Sequence, residues 1–252
     1  MAELADELAG WLFDRLKFAP KPPIDVEALA VQMGIDSIAN ATMVEDGRLE
    51  QDGTTATIFL RTGLSDSRRR FTIAHELGHR LLLHPRAPAE RHRRRLAGDS
   101  EERLCDDLAA AILLPRSWVL AEFRGAPHRL KSVRRLSAMT ATSLSASLVR
   151  LSEVAGWSES LLRFRFTNGK WRLEAPAAVP YDVHGQIRTT TGTSEVLAAV
   201  GARTRSDVRT ELPLRIRQSE LNVPAEISVS RSVAVALLNL RGFSSEVVDG
   251  QR

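Results

Sequence analysis

Cysteine occurs once in 252 residues, at Cys105, tyrosine once, at Tyr181, and aromatic residues make up only 5% of the chain. A single thiol excludes an internal disulfide framework and fits a reducing compartment, so a cytoplasmic setting is expected. No apolar run approaches the ~20 residues of a membrane-spanning helix, so no membrane partner is expected. The first residues, Met1-Ala2-Glu3-Leu4-Ala5-Asp6-Glu7, are acidic where a secretory signal would be basic. Lysine is scarce too, because nearly all the basic residues are arginine. The net charge of +4 is too small to argue for DNA binding by itself. Arginines cluster at Arg68-Arg69-Arg70 and at Arg91, Arg93, Arg94 and Arg95, the second group beside Pro85, Pro88 and Gly98. Such a segment either steers an acidic partner or nucleic acid toward a site or is simply solvated.

What the chain does have is His75-Glu76-Leu77-Gly78-His79. Positions i and i+4 of an α-helix share a face, so both imidazoles can reach one metal ion. Glu76 lies between them, where a carboxylate can act as base toward the attacking water of a zinc hydrolase. The plainer reading is a helix with two surface histidines and a solvated glutamate. The flanks oppose it: Phe71, Ala74, Leu77, Leu81 and Leu82 recur at helical spacing, so one side packs inward. Ser65-Asp66-Ser67 offers an N-cap and Pro85 a stop.

A catalytic zinc usually takes three protein ligands. Glu101, Glu102 and Asp106 open a second helix that runs through Leu108-Ala109-Ala110-Ala111-Ile112-Leu113-Leu114 to Pro115. Glu102 and Asp106, again i and i+4, face one way: Glu102 as metal ligand, Asp106 as acceptor for the outer N–H of a ligating histidine. The three alanines are small enough to let the helices lie close. Glu101 needs no role beyond complementing the helix dipole in the first turn.

The run Arg70-Phe71-Thr72-Ile73-Ala74-His75-Glu76-Leu77-Gly78-His79 resembles the core of the ImmA/IrrE family of bacterial metallopeptidases. So does the pattern of Glu102, Asp106, Ala109-Ala110, Leu113 and Pro115 that follows it, and upstream Pro23 to Ala30 with Gly34-Ile35 resembles the family's N-terminal helix. The resemblance covers about the first half of the chain. It implies a gluzincin-like zinc fold with His75, His79 and Glu102 as ligands and Glu76 as base. It also implies a narrow substrate, a helix-turn-helix repressor of the XRE type.

Elsewhere the pattern predicts helices from Ala5 to Leu16 and from Val26 to Met33, and a strand over Thr54 to Leu60. Ile58, Phe59 and Leu60, just before the metal helix, are the candidate edge to which a peptide substrate adds; a strand paired on both sides is the competing reading. Ser117 to Phe123 forms a short helix. Val133 to Leu151 then has helix-turn-helix spacing around Thr140-Ala141-Thr142, but Ser143-Leu144-Ser145-Ala146-Ser147 offers almost nothing to base edges. From Trp157 onward β patterns dominate. Two strands flank the hairpin signal Asn168-Gly169, a helix covers Ser194 to Val200, and β-prone runs occupy Leu212 to Ile216 and Ile227 to Leu240. Tyr181 and His184 read as structural, and no group that would stabilise an oxyanion stands out beyond the polar candidates His84, His128 and Tyr181.

The expected class is α+β, in three parts: a gluzincin-like zinc peptidase domain over 1–124, a helix-turn-helix-like helical segment over 125–156, and a small α+β, GAF-like sensor domain over 157–252. The expected activity is zinc-dependent endopeptidase action of narrow specificity, with one zinc per chain or another divalent metal in its place. Cleavage of an XRE-type repressor would relieve transcriptional repression, as in a stress response. The alternative is a non-proteolytic regulatory protein that binds a repressor or DNA through the helical hairpin; DNA is the less favoured partner.

Overall fold

The chain starts helical. Helix α1 (Ala2–Leu16) buries Ala5, Leu8, Ala9, Leu12 and Phe13 along one stripe and ends where Lys17 takes a left-handed conformation. Helix α2 (Val26–Gln32) begins at Asp25, whose side chain accepts the Ala28 N–H at 2.9 Å. This satisfies one of the free amides of the first turn. The structure, a computed structural model, describes residues 1–84, 86–88, 98–174, 176–179, 185–203 and 207–240. The arginine group at Arg91, Arg93, Arg94 and Arg95, together with Tyr181 and His184, lies outside the described residues.

Three strands follow: β1 (Ser37–Ala41), β2 (Gly47–Asp52) and β3 (Thr55–Arg61), in the order β1-β3-β2. β3 pairs parallel with β1 and antiparallel with β2. Its alternation is the half-buried strand pattern, with Ala56, Ile58 and Leu60 turned into the core. β3 is therefore central, which corrects the assignment of Ile58, Phe59 and Leu60 as a substrate edge. Its backbone donors and acceptors are committed to two neighbours, and among the described residues the outer edges of this sheet belong to β1 and β2.

Helix α3 (Asp66–Leu82) follows, then α4 (Asp99–Leu113) and α5 (Arg116–Phe123). Ser65 occupies the N-cap of α3 without a side-chain cap hydrogen bond. Arg70 instead ties the helix down, donating to the Ile24 carbonyl at 2.6 Å, and Arg69 bridges to Glu27 of α2. α4 packs on α1 and α3. The closest approach to α3 is at Gly78, where a Cβ would meet the Cα of Cys105 at 3.2 Å and its Sγ at 3.3 Å. The glycine and the cysteine set the helix spacing at this point.

The rest of the chain is α6 (Leu130–Thr140), α7 (Leu144–Ala155), β4 (Glu159–Thr167), β5 (Lys170–Leu173), β6 (Ile187–Thr189), α8 (Thr191–Arg203), β7 (Val208–Ile216), β8 (Ser219–Ser230) and β9 (Val233–Asn239). The six strands form one antiparallel sheet, β5-β4-β9-β8-β7-β6. The β4–β5 turn is Asn168-Gly169, with φ of 52° and 77°, the backbone that a two-residue hairpin of this hand requires. Leu197 and Val200 of α8 join Leu162, Phe164, Leu212, Leu214, Val223 and Ile227 in the core of this region. Contacts divide the chain into two compact units, 1–124 with 136–143, and 125–135 with 144–252. Both mix helix and sheet, and the fold is α+β. No helix among the described residues is long and apolar enough to cross a membrane.

Candidate metal centre

α3 and α4 bring together side chains that lie more than twenty residues apart in sequence. His75 and His79 stack one turn apart on α3, with their Nε2 atoms 3.2 Å from each other. Glu102, in the first turn of α4, sets one carboxylate oxygen 3.3 Å from His75 Nε2 and the other 3.5 Å from His79 Nε2. These three residues form a group able to hold a metal ion, one ligand atom from each within 4.8 Å of the others. Four-coordinate zinc with bonds of ~2.0–2.1 Å at tetrahedral angles separates neighbouring ligand atoms by roughly 3.3 Å. The observed spacing fits that demand, and two imidazoles with one carboxylate are the donor set of a catalytic site with a position left open.

The outer face of each imidazole is also held. His75 Nδ1 lies 2.9 Å from Asp106 Oδ1, and His79 Nδ1 lies 3.2 Å from Glu101 Oε1. A proton held on each Nδ1 by a carboxylate leaves the Nε2 lone pair for a cation. Asp106 stands where i,i+4 spacing from Glu102 puts it. Glu101 is a correction: its place in the first turn suits the helix dipole, but its carboxylate also meets His79. Burial works against protonation of His75, yet the Asp106 hydrogen bond and the charges of Asp106, Glu76 and Glu102 outweigh it and raise its pKa. Four carboxylates around two imidazoles make a strongly negative pocket, and a divalent cation is the charge it lacks.

Glu76 differs from the other acids. It is only 6% exposed, and burial pushes its carboxyl pKa up against the pull of His75, His79 and a hydrogen bond from the Leu49 backbone. Strand β2 covers it: a Cβ on Gly47 would sit 3.0 Å from Glu76 Oε1 and 2.2 Å from Thr72 Cγ2. Only a residue without a side chain lets the strand pass this close.

His75, Glu76, His79, Glu102 and Asp106 line one open cleft of ≈ 750 Å³, together with Gly47, Arg48 and Leu49 of the β2 edge. Ile58, Phe59 and Leu60 are not among its lining residues. At the rim Asp46 is gripped by Arg61 and Arg68. The Arg61 hydrogen bond outweighs the effect of burial and, with Arg68, holds the Asp46 carboxyl below its ordinary range. Of the oxyanion candidates, His84 faces Trp11 rather than this cleft, and His128 stacks on Trp157 at 4.3 Å. Cys105 is buried, and burial, with the nearby carboxylates, pushes its thiol far above the ordinary thiol range, which favours the neutral thiol.

No curated protein matched this chain. Among solved structures, a Mycobacterium tuberculosis transcriptional regulator aligns over 97% of this chain and 80% of its own, at 16% identity and a TM-score of 0.51. At that identity the likeness is one of fold. Residues 30–166 match the peptidase M78 family, described as the IrrE N-terminal-like domain. That match takes in more than half of the chain, including β2, both donor helices and every side chain around the cleft, and so the chain belongs to the IrrE N-terminal-like family.

Proposed function

We propose that this protein is a zinc-dependent endopeptidase of narrow specificity whose substrate is an XRE-type helix-turn-helix repressor. The observation that carries the reading is the convergence of His75 Nε2, His79 Nε2 and a Glu102 carboxylate beside a buried Glu76. A purely structural zinc site has no use for a fourth, buried carboxylate that ligates nothing.

His75, His79 and Glu102 would hold the ion, with Asp106 and Glu101 fixing the two imidazoles. Zinc bound there would supply Lewis-acid chemistry, which lowers the pKa of a water to ~7 and polarises a carbonyl. Glu76 takes the proton of the attacking water on its carboxylate and returns it to the leaving amide nitrogen. The outer edge of β2, at Gly47 to Leu49, where the Leu49 backbone already meets Glu76, is the place for an extended substrate to pair, in the role that the sequence pattern suggested for Ile58, Phe59 and Leu60.

The reading assigns catalysis to residues 1–124, a docking role to the helix-turn-helix-like segment 125–156, and a GAF-like sensor role to 157–252. The six-stranded antiparallel sheet with α8 against it supports the last of these. Recognition of DNA by α7 has little support: Arg150 is 1% exposed and paired with Glu153, so it cannot reach a base edge. One similar solved structure is that of a transcriptional regulator, which agrees with a task in transcription control.

The test is incubation of zinc-loaded protein with XRE-type repressors encoded nearby, beside the Glu76→Gln variant. Discrete fragments from the wild type and none from Glu76→Gln, at equal zinc content, are expected. Full activity in Glu76→Gln would remove the base assignment. Repressor binding without cleavage would favour the regulatory alternative.

A further inference from the structure

We propose that a second cavity of the N-terminal unit, walled by α1, the end of α2 and the last turn of α3, binds a small amphipathic organic anion: a flat ring carrying a carboxylate or phosphate. The proposal stands whether or not the chain cleaves peptide bonds.

The cavity has a volume of ≈ 430 Å³ and is lined by Trp11, Arg15, Met33, Arg80, Leu83 and His84, among others. That size and a largely apolar wall with a few convergent polar groups suit a small ligand, for which such sites span roughly 300–1,000 Å³. Its charge is of one sign. Arg15 stands 5.4 Å from the Trp11 ring centroid, and Arg80 donates to the neutral amide oxygen of Gln51 at 3.2 Å. Among the described residues neither guanidinium has a carboxylate within ion-pair distance. Elsewhere in this unit Arg48, Arg61, Arg68, Arg69 and Arg116 each sit on one. His84 registers the imbalance: partial burial and the charges of Arg15, Arg86 and Arg80 all hold its imidazole below the ordinary range.

The aromatic wall selects among anions. Trp11 and His84 meet edge to face at 5.5 Å, so two aromatic rings and the Arg15 guanidinium share one wall of the cavity. A flat ring gains stacking and apolar burial there, while its acidic group reaches Arg15 and Arg80. A bare inorganic anion gains only the second. Leu83, 64% exposed, lines both this cavity and the metal cleft. It lies one turn after His79, so a bound ligand bears on the helical turn that leads into the metal centre.

Calorimetric titration of the full chain with 2-naphthoate and with adenosine monophosphate, each compared with inorganic phosphate, tests the site. At least one organic anion should bind with 1:1 stoichiometry, and its affinity should fall about ten-fold or more in Arg15→Gln and in Arg80→Gln. The His79→Ala variant should bind it as the wild type does, since the cavity does not use that imidazole. Trp11→Leu should weaken the organic anion and leave phosphate unchanged. Melting curves verify the fold of each variant, and Arg15→Gln, at an exposed position, decides the matter if Arg80→Gln unfolds. Four results would each overturn the proposal: no heat with either organic anion, affinity that survives both arginine changes, phosphate binding as tightly, or loss of binding in His79→Ala.

Discussion

His79 Nδ1 and Glu101 Oε1 lie 3.2 Å apart, and this contact repeats on the other imidazole, where His75 Nδ1 meets Asp106. Both histidines are thus clamped from behind by carboxylates of one helix. Removing a clamp frees the ring and its tautomer without removing a ligand. Glu101→Gln and Asp106→Asn should therefore lower zinc affinity about 10–100-fold while His75, His79 and Glu102 still bind it. Competition against a chelator of known affinity measures this. Affinity unchanged in Glu101→Gln would mean that its contact with His79 is incidental.

Gly47 offers a steric test. Alanine there forces its methyl onto Thr72, a stiff β-branched residue that is itself buried. Gly47→Ala should cost about 1–3 kcal/mol in urea unfolding and displace β2 from Glu76. Adding Thr72→Ser removes the offending methyl and should recover much of the loss. If the double variant is no more stable than the single one, the close approach is not the cause.

Gly78 predicts the same kind of failure between helices. A valine side chain at that position meets the Cys105 backbone, which cannot turn aside as a flexible side chain would. Gly78→Val should destabilise by about 1–3 kcal/mol and weaken zinc binding in parallel, because α4 carries Glu102 away from the imidazoles. Stability lost with zinc affinity intact would detach the helix spacing from the metal site.

Asp46 gives the acid limb of stability a specific contributor. Its folded pKa lies below the unfolded value of about 3.9, because Arg61 and Arg68 hold the charged form. The stabilisation is therefore present above that unfolded value and disappears as pH falls through the lower, folded one. Urea unfolding of wild type and Asp46→Asn should show a gap at neutral pH that closes in this acid window. A gap independent of pH would assign the effect to packing instead.

Much of the centre could be read from residue order because its parts lie on two strongly patterned helices. Spacing alone put His75 with His79 and Glu102 with Asp106. Glu101 escaped, since an acid in a first helical turn is already explained by the dipole and its partner belongs to another helix. The sheet beside the cleft escaped as well. β2 reads Gly-Arg-Leu-Glu-Gln-Asp, a charged, half-exposed edge without the apolar alternation that marks β3. The more hydrophobic strand thus drew the edge assignment that belongs to its neighbour. Asn168-Gly169 announced its hairpin because few residues adopt that backbone. The turn at Arg231-Ser232 did not, and β8 and β9 merged into one apolar run with Arg231 at a φ of 50°.

Strand-like pairing along the outer rim of β2 is open only to a chain whose own amides and carbonyls point sideways. A helical segment spends those groups along its axis and has none to offer. Any polypeptide that docks beside Glu76 must first surrender its coiled geometry over several residues. If the proposed substrate pairs there, how readily it frays at that spot would become part of what is recognised, and a rigid, well-packed protein would escape even when its side chains are suitable.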